Sequence, residues 1–233
     1  MRLRALLIVL VTAAALVLAG SAAASSTQTV TFEAPRDLLD PERRETALAE
    51  LDSLGVRALR IVLYWDAVAP SPDAGERPAF DATDPAAYAW GQYDPLIAAA
   101  ASRGWSVHLT VSGPVPKWAT LARRDRVTRP DARAFRGFAT AVGRRYGADV
   151  DLWSIWNEPN HPAFLRPQFA RGGRAVSPAI YRGLYEAGRA GLHAAGQQED
   201  DIVFGETAPR GTGSVVAPLR FLREMLCLDR GYR

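Results

Sequence analysis

A chain of 233 residues is long enough for one substantial domain or two small ones, and 48% hydrophobic with 23% charged residues excludes disorder over most of its length. The formal net charge of +3 is spread along the chain and carried almost wholly by arginine, with Lys117 the sole lysine. With no basic stripe and no nucleic-acid motif, a nucleic-acid partner is excluded, and the arginine usage reads as codon bias.

The first residues stand apart. In "MRLRALLIVLVTAAALVLAGSAAAS", Arg2 and Arg4 precede an apolar stretch from Ala5, and Ala22 and Ala24 satisfy the small-x-small rule for cleavage before Ser25. Residues 1–24 are expected to be a secretory signal peptide and 25–233 an extracellular mature chain. A retained membrane anchor is the second reading, against which the apolar core is short for a bilayer, so no stable span is expected after cleavage. The single Cys227 forbids an internal disulfide, and with no His pattern nearby it reads as a core filler.

From Ser26 extended apolar segments alternate with helical ones. A first strand is expected at "TVTFEA"; Asp40 then caps a helix with Pro41 at its first position, a stripe of Leu48, Leu51 and Leu54, and a C-terminal stop at Gly55. "RALRIVLYW" is a second strand, "DPAAYAWGQYDPLIAAAASRG" a helix, and "SVHLTVSG" a third strand. Phe135, Phe138, Val142 and Tyr146 recur at helical spacing before a fourth strand, "DLWSIW". Ser177-Pro178 opens a helix that closes near Gly196, "DIVFGE" is a fifth strand, and a last helix runs from about Pro218 through Met225.

Five strand-then-helix units imply a parallel sheet, since each connection is long enough for a crossover helix. The choice lies between an open doubly wound sheet and a (β/α)8 TIM barrel. No G-x-G-x-x-G follows the first strand, and the strands carry polar groups on one alternating face, as the packed interior of a barrel allows. Arg60, Val62 and Tyr64 share such a face, as do His108, Thr110 and Ser112, and Ser154, Trp156 and Glu158. The expected fold is therefore an α/β barrel, cut short after about five units.

Active sites of parallel barrels form at the C-terminal ends of the strands, which is where "WNEPN" sets Glu158. A strand-end Glu is open to a plain reading, as a helix cap or a solvated loop residue. The Asn-Glu-Pro turn just after Trp153 and Trp156 favours another: apolar rings beside the carboxyl would disfavour its anion and make a useful proton donor.

"WNEPN" after an apolar strand resembles the fourth-strand signature of the clan A glycoside hydrolases, the (β/α)8 enzymes that include family 5 cellulases and family 39 xylosidases. "LRIVLYWDAVAP" resembles their second strand, "VSGPVPKWA" the third-strand end of family 39-like members, and "IVFGETAP" falls where their fifth strand would. The chain departs from family 5 in having Ser112 and Gly113 where those members place a His.

The resemblance implies a retaining hydrolase of β-linked sugars, without a cofactor or metal. Glu158 matches the acid/base that protonates the glycosidic oxygen and later activates water, and Asn157 the residue bound to the sugar 2-hydroxyl. Arg60 matches the arginine that supports the catalytic carboxylates. Trp65 and Trp118 are open to two readings, as stacking faces for sugar rings or as core. His161 is open to substrate contact or to a solvated loop role, and His108 reads as a satisfied core histidine. The resemblance puts the nucleophilic Glu on a seventh strand, beyond the last residue here, so little activity is expected from this chain alone. Glu206 is the one other strand-end Glu near Glu158, expected to share a face with Ile202 and Phe204; it is open to substrate binding, a structural hydrogen bond, or an inverting pair with Glu158. Two competing classes remain, a non-catalytic carbohydrate-binding or cell-surface barrel and an inactive fragment.

Overall fold

The computed structural model describes residues 30–228 and 231, so the expected signal peptide, residues 1–24, lies outside the described residues. Four parallel strands, β1 (Ala58–Tyr64), β2 (Ser106–Ser112), β3 (Leu152–Ile155) and β4 (Ile202–Val203), lie side by side in chain order. Ahead of them, Phe32 makes one parallel bridge to Leu59, with its N–H on Ala58 O and its carbonyl taking the Arg60 N–H, both at 2.9 Å. The first expected strand is thus a single bridge, and it is enough to bring Glu33 to the sheet.

The two sheet faces divide the side chains by chemistry. On one face Leu59, Leu63, Val107, Leu109, Val111, Trp153 and Ile155 are fully buried under the helices. The other, inner face carries Arg60 level with His108 and Thr110 level with Ser154. Strict alternation along a pleated strand produces this separation.

The helices are α1 (Pro35–Leu38), α2 (Arg44–Ser53), α3 (Trp65–Val68), α4 (Asp94–Ser102), α5 (Ala132–Tyr146), α6 (Ser177–Ala194) and α7 (Pro218–Met225). Asp131 caps α5 by accepting the N–H groups of Arg133 and Ala134. Glycines let α6 lie close to its neighbours: a Cβ at Gly188 would stand 2.8 Å from Ile155 and 2.9 Å from Phe135, and one at Gly191 would stand 2.4 Å from the Arg136 carbonyl oxygen. Among the described residues no helix is long and apolar enough to cross a membrane.

Three local expectations are corrected. The helix read from Asp84 to Gly104 is two pieces, a 3-10 turn at Pro85–Ala87 and then α4. Pro95 is the reason, because it lacks an N–H and fits only a first helical turn, so the chain restarts at Asp94. Leu54 is 70% exposed because α2 ends at Ser53 and the chain turns at Gly55. Cys227 is exposed: it sits just past α7 with φ +60, a left-handed stop that turns it away from the core that holds Met225.

Candidate active site

Two glutamates, Glu158 and Glu206, come together through their backbones at the C-terminal edge of the sheet, each on a twist that breaks alternation. Trp156 (φ +73) and Glu158 (φ +43) follow β3, and Gly205 (φ +110) and Glu206 (φ +38) follow β4. For a residue other than glycine such angles cost free energy and persist only where surrounding contacts enforce them. Those contacts are visible. Tyr181 on α6 donates its hydroxyl to Ile155 O at 2.8 Å and accepts the Gly205 N–H at 3.0 Å, pinning both strand ends from below. The Glu158 N–H donates to Glu206 O at 3.0 Å, and the Trp156 N–H to Val111 O at 2.9 Å.

The twists redirect side chains that strict alternation assigns elsewhere. Trp156 leaves the Ser154 face and packs edge-on against Phe135, donating its indole N–H to Phe164 O at 3.2 Å. Gly113 makes room for it, since a Cβ there would lie 2.6 Å from the indole. Trp153 is likewise buried, its Nε1 donating to Asp200. Both rings are committed to the core, so the apolar walls expected around the Glu158 carboxyl are not theirs. Glu206, expected on the face of Ile202 and Phe204, is turned instead to the inner face.

There it ends in a dense set of donors. Arg60 forks onto it, Nε to Oε1 at 3.1 Å and one terminal nitrogen to Oε2 at 2.7 Å. Thr110 Oγ1 donates to Oε1 at 3.2 Å. Ser154 Oγ lies 2.9 Å from Oε1 and 2.8 Å from Thr110 Oγ1, and its one proton serves one of them at a time. His108 Nε2 is 3.0 Å from Ser154 Oγ and 3.3 Å from Oε1. Burial lowers the His108 pKa, with Glu206 opposing and Arg60 assisting. Burial also works against the charge on Arg60, but Glu206 and Glu33 outweigh it and raise its pKa.

Arg60 joins the parts of the site. Its guanidinium also pairs with Glu33 and donates to Asn157 Oδ1 at 2.9 Å. The Asn157 N–H is held by Ser112 Oγ at 2.9 Å. Glu158 is half-buried, and among the described residues no hydrogen bond or ion pair engages its carboxyl. Tyr64 stands by: burial raises its phenol, and the nearby Glu33 and Glu158 carboxylates add to that against Arg60. The site therefore pairs one clamped carboxylate with one unclamped carboxylate.

The other expected site residues fall into two places. His161 donates its backbone N–H to Glu158 O at 2.9 Å, and its Nε2 is 3.1 Å from Arg210, so it belongs to the same rim. Trp65 and Trp118 do not. Trp65 is fully buried, stacked on Phe138 with ring centres 5.1 Å apart, and Trp118 packs edge-on to it with 6% exposure. Stacking on a sugar requires an open face, and the Trp65 ring has none. Residues held in the site but given no site role from sequence are Glu33, Tyr64, Thr110, Ser154 and Asn160. Asn160, fully buried, cross-links the loop after β4 by bonds to Ala208 and Val216. The polar inner-face alternation signalled Thr110 and Ser154, and the end of the first strand could have signalled Glu33. Among the described residues no group of three or more His, Cys, Asp or Glu is placed to hold a metal ion.

A hyperthermophilic β-glucosidase mutant that forms a dodecamer in its crystal is similar in structure, with a TM-score of 0.53 at 15% identity over 72% of this chain and 46% of that chain. The likeness is one of fold: a β/α barrel, present in part. The virulence factor SghA from Agrobacterium tumefaciens gives a TM-score of 0.48 at 22% identity, over 70% of this chain and 36% of that one. The β-glycosidase of Thermosphaera aggregans gives 0.48 at 16% identity, over 72% and 43%. The chain spans less than half the length of each of these proteins. No protein-family model matches it, and no curated protein matches it. In a barrel of this kind the β3 and β4 ends that carry Glu158 and Glu206 lie on the face where barrel enzymes keep their active sites.

Proposed function

We propose that this chain is part of a secreted glycosidase that hydrolyses β-linked sugars by a retaining mechanism, with Glu158 as the acid/base. The observation that carries the reading is the Asn157–Glu158 pair at the end of β3, with Asn157 tied to Arg60 and the Glu158 carboxyl unclamped, on a barrel shared in part with a β-glucosidase. A proton donor must be free to turn to the glycosidic oxygen, and Glu158 is the carboxylate that meets this requirement. In the mechanism it protonates the leaving oxygen while a nucleophile attacks the anomeric carbon, and then takes a proton from the water that hydrolyses the glycosyl-enzyme. Asn157, whose Oδ1 is occupied by Arg60, turns its Nδ2 donors to a sugar hydroxyl oxygen.

Glu206 is a poor nucleophile or base in this arrangement, since its oxygens are taken up by Arg60, Thr110 and Ser154. On this reading the nucleophile is a Glu at the C-terminal end of a seventh barrel strand, which is not among the described residues. Export rests on the N-terminal pattern of Arg2, Arg4 and Ala22-x-Ala24. The test is the stereochemistry of aryl β-glycoside hydrolysis by the whole protein that contains this chain, followed by proton NMR. The β-anomer as first product is expected; the α-anomer would point to an inverting pair, and no hydrolysis with no downstream strand-end Glu would favour a non-catalytic barrel.

A further inference from the structure

The geometry points to Glu206 as a positioning residue that, with Glu33, clamps Arg60 between two carboxylates and through it fixes the side-chain amide of Asn157. It rests on the reading above only in what Asn157 touches. The fork from Nε and a terminal nitrogen sets the plane of the guanidinium against Glu206. Glu33, next to the Phe32 bridge, takes the other terminal nitrogen. Of the two N–H groups that remain, the one on the nitrogen already bound to Oε2 donates to Asn157 Oδ1 at 2.9 Å. An amide rotates by half a turn at little cost unless one end is recognised. Here Oδ1 is the end recognised, so Nδ2 is the end presented outward.

Glu206 is itself immobilised. Thr110 and Ser154 donate to Oε1 from two different strands, and the backbone carbonyl of Glu206 takes the Glu158 N–H. A carboxylate bound by three side chains and held on a left-handed backbone is rigid enough to orient others. Placing the same residue at a substrate subsite would require it to release Arg60, whose side chain is only 17% exposed.

The experiment uses the 233-residue chain labelled with nitrogen-15. In the wild type, a clamped Arg60 is expected to show separately resolved terminal N–H resonances, and a single rotation-averaged signal would overturn the proposal whatever the variants do. Glu206→Gln is expected to move the Asn157 side-chain amide resonances, whereas Thr110→Val, which removes a donor but leaves the fork, is expected to leave them in place. Unmoved resonances in folded Glu206→Gln, or equal movement in both variants, would contradict the positioning role. A parallel titration with 4-nitrophenyl β-glucoside separates this from the sugar-site reading. Binding that weakens about tenfold in Glu206→Gln supports both, and binding equal to wild type overturns the clamp. Absence of binding by the wild type counts against the sugar site and leaves the clamp to the resonances.

Discussion

Arg60 and Glu206, 146 residues apart in sequence, meet in a two-bond fork on the inner face of the sheet, with contacts of 3.1 and 2.7 Å. Breaking a mostly buried pair from one side leaves an uncompensated charge, so the two truncations differ. Arg60→Ala strands Glu206 among hydroxyls and a neutral imidazole and is expected to cost about 3 kcal/mol. Glu206→Ala leaves Arg60 paired with Glu33 and is expected to cost less. Urea unfolding of both variants checks the order.

Tyr181→Phe removes the hydroxyl that holds Ile155 O and the Gly205 N–H, both in the interior. Two buried backbone groups are left unpaired, and a loss of about 1–3 kcal/mol follows. The local expectation is sharper: the Gly205 amide exchanges with solvent faster, while amides in the middle of β2 keep their protection.

Gly191→Ala sets helix propensity against packing. The change gains about 1 kcal/mol as an intrinsic helix preference. It also puts a Cβ 2.4 Å from the Arg136 carbonyl oxygen, and backbone cannot step aside as a side-chain tip can. Overpacking costs about 1–3 kcal/mol, so the net effect is expected to be destabilising, seen as a lower urea midpoint.

Trp65→Ala empties a site between Phe135, Phe138 and Trp118. A loss of about 3–5 kcal/mol is expected from the cavity. At temperatures where the variant is folded, glycoside affinity is expected to match the wild type, because the ring has no open face.

His108 gives the pH dependence on the weakly acidic side. Its folded pKa is lowered, first by burial, so below the ordinary value of 6.5 the unfolded chain binds a proton that the folded chain resists. Its contribution to stability is complete above pH 6.5 and is lost as the pH falls through the folded value. Urea midpoints are expected to decline from pH 7 toward pH 5, and His108→Asn is expected to flatten that decline.

Much of the site was legible because alternation along β1, β2 and β3 sorts Arg60, His108, Thr110 and Ser154 onto one face by parity alone. The rule fails where the chain turns left-handed. Trp156 and Glu206 each lie on the opposite side from that parity assigned, since positive φ at Trp156, Gly205 and Glu206 depends on Tyr181 and Gly113, residues far away in sequence. Trp65 and Trp118 show a different limit: a tryptophan after a strand carries no mark that tells a sugar platform from a core ring. Glu33 went unread because its partner is set by a strand reduced to one bridge at Phe32.

The most direct test concerns Glu158 itself. Glu158→Gln is to be compared with wild type in the whole protein that contains this chain, on a β-glycoside with a poor leaving group and on a nitrophenyl one. Loss of a general acid is expected to lower kcat/KM by about 10²–10⁴-fold on the first substrate and far less on the second, which needs no proton to depart. Equal rates for variant and wild type on the poor leaving group would contradict the assignment of Glu158 as the proton donor.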